Sequence, residues 1–190
     1  MKSSDLAYWN NPRGSIAAKY YENDFAYATS GGMGALGVVG FLPILANDIK
    51  NYTILDYGCG TGRMTRPLSS IFKHAYGFDP NVECIKQFEV ENGKADFNPG
   101  KVSWTSNIDD VPEADYGCCV NVVEHLTVED AKIVIKNLEL KVRKQVVMVY
   151  HLQRNLDLIA PFLSEKDLGE DLIQRQNGGN ISVRLINIRK

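Results

Sequence analysis

The chain is poor in the features that most readily reveal a function. Its four cysteines, Cys59, Cys84, Cys118 and Cys119, form no Cys-x-x-Cys pair. That argues against a zinc site and makes buried, reduced thiols of an intracellular protein the expectation. Neither sign of charge prevails: 21 basic and 23 acidic residues leave a net charge of −2, so nothing global points to nucleic acid. No apolar run is long enough to span a bilayer. The greasiest stretch, Met33 to Ala46, is broken by Gly34, Gly37, Gly40 and Pro43. Lys2 is followed by polar residues rather than an apolar block, so no secretory signal is read and a cytoplasmic location is expected. Ser30-Gly31-Gly32-Met33-Gly34 lacks the Gly-Lys-Ser/Thr of a phosphate loop. It reads instead as a hinge or turn before a packed helix. There is no internal repeat and no low-complexity tract.

The informative stretch is Ile54-Leu55-Asp56-Tyr57-Gly58-Cys59-Gly60-Thr61-Gly62-Arg63. A short apolar run ends in a carboxylate, glycine recurs at every second position, and an apolar-periodic segment follows. This pattern predicts a buried strand, a tight turn and a helix over about 63–72. Glycine at 58, 60 and 62 removes Cβ atoms, so that a ligand can lie on the backbone. Further strand signals occur at His74–Asp79, Lys101–Thr105, Tyr116–Val122 and Gln145–Tyr150, with helix signals at about Val82–Glu91 and Val128–Leu140. Thr127 and Asp130 resemble a capping box with the shorter acid. Alternating strands and helices predict an α/β fold: one doubly wound, mostly parallel sheet with helices on both faces. Its ligands belong at the carboxyl ends of the strands. Cys118 and Cys119, neighbours on a strand, should face opposite sides.

Two cofactor classes compete for the glycine turn. A dinucleotide binder wants Gly-x-Gly-x-x-Gly to seat a pyrophosphate on a helix N-terminus. Here the third glycine comes one residue early, Arg63 stands at the dinucleotide position, and Asp56 would repel a phosphate while suiting an amine. Asp79, about 20 residues on, is where an acid can take both ribose hydroxyls in either class.

The pattern Asp-x-Gly-x-Gly-x-Gly resembles the first motif of the class I S-adenosylmethionine-dependent methyltransferases. Three further segments match in order: Phe78-Asp79-Pro80 after the second strand, Asn107-Ile108 after the third, and Asn121-Val122-Val123-Glu124-His125-Leu126 after the fourth. The resemblance is specific from about residue 52 to 126 and looser beyond. It implies S-adenosylmethionine as cofactor, with S-adenosylhomocysteine as product. It also implies cofactor-binding roles for Asp56, Tyr57, Gly58, Cys59, Gly60, Gly62 and Arg63 at the amino-acid end. Asp79 and Pro80 would serve the ribose, and Asn107 and Ile108 the adenine. Asn121 would also bind the cofactor. In the family an Asp often occupies the Asn107 position, and the Asn oxygen can accept the same hydrogen bond.

Methyl transfer from a sulfonium needs alignment and, for some acceptors, removal of a proton, but no obligatory metal or covalent nucleophile. Glu124 and His125 are the catalytic candidates, His125 because it titrates near neutral pH. The competing reading is structural, Glu124 capping a helix and His125 walling the pocket. His151 is a second candidate base. His74, at the opposite edge, reads as inert. No metal is expected: a metal-dependent subgroup carries Glu-x-x-Glu-His, and here Asn121, a weaker ligand for hard cations, replaces the first acid. The Asn/Asp-Pro-Pro-aromatic box of amino-methylating DNA enzymes is missing, as is the proline context of a cytosine-attacking cysteine.

A single methyltransferase-like domain is expected: an N-terminal extension over 1–50, a cofactor-binding core over 51–151, and sheet completion over 152–190. The extension carries Tyr8, Trp9, Tyr20, Tyr21, Phe25 and Tyr27, either as a lid or packed on the sheet. In the tail, Ser164 to Gln176 reads as a helix and Ile181 to Ile188 as a strand, so the family's final antiparallel pair looks shortened. An open sheet edge would permit a homodimer. The acceptor expected is a small molecule or an exposed O or N group, with no membrane partner. The alternative is a cofactor-binding, non-catalytic regulatory or assembly protein of the same fold.

Overall fold

The structure, a computed structural model, describes residues 24–44, 47–94, 101–151, 171–174 and 181–188. The strands are β1 (Thr53–Tyr57), β2 (His74–Phe78), β3 (Val102–Thr105), β4 (Ala114–Val120), β5 (Val142–His151), β6 (Asp171–Gln174) and β7 (Ile181–Asn187). The helices are α1 (Asp24–Phe41), α2 (Thr65–Ile71), α3 (Val82–Lys94) and α4 (Val128–Lys141). The strands form one sheet in the order β3-β2-β1-β4-β5-β7-β6. The first five are parallel, and β7 runs antiparallel to both β5 and β6. The strand order reverses between β1 and β4, the place where open α/β sheets leave a crevice at the carboxyl edge.

Alternation of side chains divides the core. Leu55, Tyr57, Phe78, Cys119, Val146 and Met148 face α4, which contributes Ala131, Val134, Ile135 and Leu138. Ile54, Ala75, Cys118 and Val147 face the other way, onto Ala35 and Val38 of α1, Leu42 just past its end, and Leu68 of α2. Cys118 and Cys119 therefore lie on opposite faces, as the pleat requires. Phe88 of α3 is fully buried and stacks on Trp104, ring centroids 4.7 Å apart. Thr127 is the N-cap of α4: its hydroxyl accepts from the Asp130 N–H at 3.2 Å. The short acid does not reach back to the backbone; its Oδ2 lies 2.7 Å from the same hydroxyl.

The fold departs from the sequence reading in four places. Ser30 to Gly34 is neither hinge nor turn but lies inside α1. Packing of Ala35, Val38 and Leu42 outweighs the roughly 1 kcal/mol that each helical glycine costs. α2 begins at Thr65 rather than Arg63: the glycine turn runs on past Gly62, at φ +78°, and Met64 is the N-cap. β4 ends at Val120, since Asn121 turns the chain with φ +56°. Finally, Asp171–Gln174, read as part of a helix, is a strand paired with β7, so the terminal antiparallel pair is present. Pairing to a sheet edge overrides local helix propensity there. The rest of that helix reading lies outside the described residues, as do Tyr8, Trp9, Tyr20, Tyr21 and the side chains of Phe25, Tyr27 and His151.

Candidate cofactor site

The turn between β1 and α2 follows from local chemistry. Three of its residues, Gly58, Gly60 and Gly62, have φ of +77°, +55° and +78°, the left-handed region that glycine enters without a Cβ clash. Together with Asn121 they are all the positive-φ residues among those described. Each glycine has a different neighbour. A Cβ on Gly58 would lie 2.3 Å from Val122 Cγ2, and one on Gly62 would lie 2.5 Å from the Phe88 ring. These two positions are small because the protein itself packs there. A Cβ on Gly60 would meet nothing within 4 Å. The expectation that all three clear a path for a ligand therefore narrows to Gly60, whose open face is the cradle a bound group can use.

Backbone hydrogen bonds fasten the turn to the sheet. Gly58 and Cys59 both donate to the Phe78 carbonyl, at 2.7 and 2.9 Å, and Gly62 donates to the Cys59 carbonyl at 3.0 Å. Asp79, just past β2, joins the two motifs: its Oδ2 accepts the Gly60 N–H at 2.9 Å and its Oδ1 accepts the Asn81 N–H at 2.9 Å. Burial raises the Asp79 carboxyl above its ordinary value, and the two N–H groups pull it back. A carboxylate offers about four lone-pair directions, so two acceptor positions remain for hydroxyl donors. Asn81 went unnoticed in the sequence. It is buried, and its Oδ1 accepts from the N–H groups of Glu83 and Cys84 at the start of α3. The available signal was an N-cap residue type directly before a helical pattern. Pro80 is exposed beside it.

The other candidates sort by depth. Asp56 is 2% exposed; its Oδ2 accepts from the Thr65 hydroxyl at 2.6 Å and its Oδ1 lies 3.5 Å from Cys118 Sγ. Burial pushes its carboxyl up to about 6, opposed by those two hydrogen bonds and by the charge of half-buried Arg63. Tyr57 turns its ring into the core and accepts from Asn137 Nδ2 at 3.0 Å, which leaves only its backbone to the turn. Burial raises its phenol to about 12. Cys59 is buried with its thiol pushed well above the ordinary value by desolvation, hence unreactive.

Asn107 is exposed after β3, and its Oδ1 already accepts from the Asp109 N–H at 3.2 Å. Half-buried Ile108 packs against the main core. Asn121 is exposed at the end of β4, and its N–H donates to the Val149 carbonyl at 2.8 Å. Glu124 and His125 follow in a single 3-10 turn, 1% and 8% exposed, with His125 Nε2 3.9 Å from Glu124 Oε1. His74 opens β2 at the amino edge, 2.9 Å from the Ser103 hydroxyl. The strand ends thus gather the glycine turn, Asp79, Asn107 and Asn121 along one edge, and His74 lies at the other.

Comparison with known proteins supplies the context. A family described as "Methyltransferase domain" matches residues 38–183. The chain is 31% identical over 105 residues to an uncharacterized protein of Haemophilus influenzae. That alignment covers 54% of this chain and 38% of the relative, so the chain spans well under half of that protein's length. Among solved structures, it resembles magnesium protoporphyrin IX methyltransferase from Synechocystis with bound SAM. The TM-score is 0.70 at 13% identity, over 95% of this chain and 94% of that one. It also resembles a TehB-like SAM-dependent methyltransferase from Corynebacterium glutamicum, with a TM-score of 0.65 at 18% identity, over 94% and 100% of the two chains. Identities this low speak to fold, and the fold is that of the class I methyltransferases. With the family match running from the last turn of α1 through the glycine turn, the strand ends and most of the tail, the chain belongs to the methyltransferase-domain family.

Proposed function

We propose that this protein binds S-adenosylmethionine and transfers its methyl group to a small-molecule acceptor or an exposed O or N atom, as a single methyltransferase-like unit. One observation carries the reading. The one glycine of the turn with open space above it, Gly60, donates its N–H to Asp79, so the two motifs expected to hold the cofactor's two ends form one hydrogen-bonded edge.

When bound, the cofactor supplies a methyl group on a sulfonium, already activated for in-line displacement. The turn of Asp56, Gly58, Gly60, Gly62 and Arg63 presents backbone to the amino-acid end. The carboxyl of Asp79 keeps lone pairs for ribose hydroxyls, and Pro80 borders it. Asn107 and Ile108 offer an amide and an apolar side chain to the adenine. Asn121 stands where the strand order reverses. Glu124 and His125, beyond β4, are the proposed catalytic pair, with His125 the more exposed of the two at 8% and Glu124, at 1%, 3.9 Å behind it. Family membership and the bound SAM of the structurally similar methyltransferases support the cofactor. One ground for a non-catalytic protein, a truncated terminal strand pair, falls with the β6–β7 pairing.

Calorimetric titration with S-adenosylmethionine, S-adenosylhomocysteine and NAD tests this, alongside an Asp79→Ala variant. Binding of the first two, lost in the variant, is expected. Preference for NAD, or binding of neither sulfur compound, would overturn the reading.

A further inference from the structure

The residues at the two ends of the glycine turn touch each other inside the protein. Asp56 is the fourth residue of β1 and Thr65 the first of α2; they are 2% and 0% exposed. Their carboxylate–hydroxyl bond, 2.6 Å long, is short and charge-assisted. The same carboxylate meets Cys118 at 3.5 Å, on the strand that pairs with β1 in register Asp56↔Cys118. Between the bonded ends lies a segment with three left-handed residues. Such a conformation persists only where the surroundings over-determine it. At 2% exposure, Asp56 presents almost no surface for a ligand to touch.

We infer that Asp56 is a positioning residue that acts on the cofactor through Thr65, by closing the glycine turn from inside rather than by touching the cofactor's ammonium group. The inference rests on the proposed S-adenosylmethionine site and amends the role that the sequence resemblance implies for Asp56. Thr65 becomes part of the site although it carries no motif position. Its hydroxyl fixes the start of α2. One residue further on, Arg66 donates both its backbone N–H and its Nε to the Gly62 carbonyl at 3.2 Å, which anchors the last glycine of the turn.

The test uses the whole chain and two ligands, S-adenosylhomocysteine and its desamino analogue, which lacks only the ammonium group. The variants are Asp56→Asn, Thr65→Val, Thr65→Ser and the double Asp56→Asn/Thr65→Val. Thr65→Val is isosteric, so it keeps the proposal testable should Asp56→Asn fail to fold. Asp56→Asn and Thr65→Val should each weaken both ligands by about tenfold, as for one lost charge-assisted hydrogen bond. The double variant should be no worse than either single one, and Thr65→Ser should bind like the wild type. Loss confined to the amine-bearing ligand in Asp56→Asn, with Thr65→Val unaffected, would mean direct ammonium recognition and end the proposal.

Amide exchange at Gly60 and Gly62 in the ligand-free protein is a second, independent arm. Exchange should accelerate in Asp56→Asn and Thr65→Val and return to the wild-type rate in Thr65→Ser; unchanged rates in all variants would refute the internal closure. Should the wild type bind no S-adenosylhomocysteine, the cofactor reading fails, and the exchange arm alone still decides whether Asp56 and Thr65 hold the turn.

Discussion

The two edges of the parallel sheet are built on different terms. At the amino edge, Asp115 receives three donors from the protein. The N–H and hydroxyl of Thr53 reach its Oδ2 at 2.9 and 3.0 Å, and Arg143 Nη2 reaches its Oδ1 at 2.8 Å. Nearby, Lys144 sits over the ring of Tyr52, 3.9 Å from its centroid. These contacts tie β1, β4 and β5 together. At the carboxyl edge stand all four positive-φ residues among those described, an open glycine face, and a carboxylate, Asp79, held by two backbone N–H groups. Acidic residues occur at both edges, so charge alone does not mark the functional one. Backbone strain next to open space does, because strain is retained where the surrounding structure over-determines it and a ligand benefits.

Substitutions can sharpen or break this contrast, and they rank by their expected cost in stability. Gly58→Ala should cost the most, about 4 kcal/mol. It combines a left-handed Cβ with a 2.3 Å approach to Val122. Urea unfolding checks this, and a cost below about 1 kcal/mol would mean that Val122 gives way freely.

The next effect is a pH dependence centred on Asp56. Its folded value, about 6, lies above the ordinary 3.8. The folded state therefore holds a proton that the unfolded chain releases between those two values. This group's stabilisation is full below pH 3.8 and is lost as pH rises through about 6. The shift corresponds to about 3 kcal/mol. Desolvation drives it, Asp79 adds to it, and Thr65, Cys118 and Arg63 oppose it. Asp56→Asn should remove this fall, read as the difference between wild-type and variant unfolding free energies at pH 4 and pH 7. Parallel curves would refute it.

At the amino edge, Asp115→Ala should cost about 2 kcal/mol by leaving the Thr53 N–H without its acceptor. Affinity for S-adenosylhomocysteine should stay within twofold of wild type, since no site residue is involved. A large loss of affinity would dissolve the distinction between the edges. Gly60→Ala should be the mildest in stability, about 1 kcal/mol from φ +55° alone, because no atom stands within 4 Å of the new Cβ. Yet it should abolish ligand binding in calorimetry. Gly60→Ala thus costs the least in stability while removing binding, and retained binding in that variant would break the comparison.

The five parallel strands were legible as short runs rich in β-branched and aromatic residues that alternate with helical patterns, and α3 and α4 because their apolar positions recur every three to four residues. Asp79 and the turn were legible for the same reason: their spacing along the chain mirrors strand–turn–helix geometry. Thr65 and Asn81 were not. A buried hydroxyl or an N-cap amide looks ordinary until its partner is known, and for Thr65 that partner lies across the turn. α1 through Ser30–Gly34 was misread because glycine clusters usually interrupt helices, whereas here packing on α2 and the sheet holds the helix. β6 was misread because a four-residue edge strand owes its conformation to β7.

What the sequence by itself determined is the alternation of elements, the left-handed turn that only glycines tolerate so cheaply, and the family. Each of these depends on interactions within a few residues, which spacing encodes. Only the tertiary structure decided which glycine is open and which are packed. Phe88 and Val122, 26 residues beyond Gly62 and 64 beyond Gly58, fill two of the three spaces. It decided likewise that Asp56 faces inward to Thr65 and Cys118. Such contacts form only when the sheet brings distant segments together, so no local pattern records them.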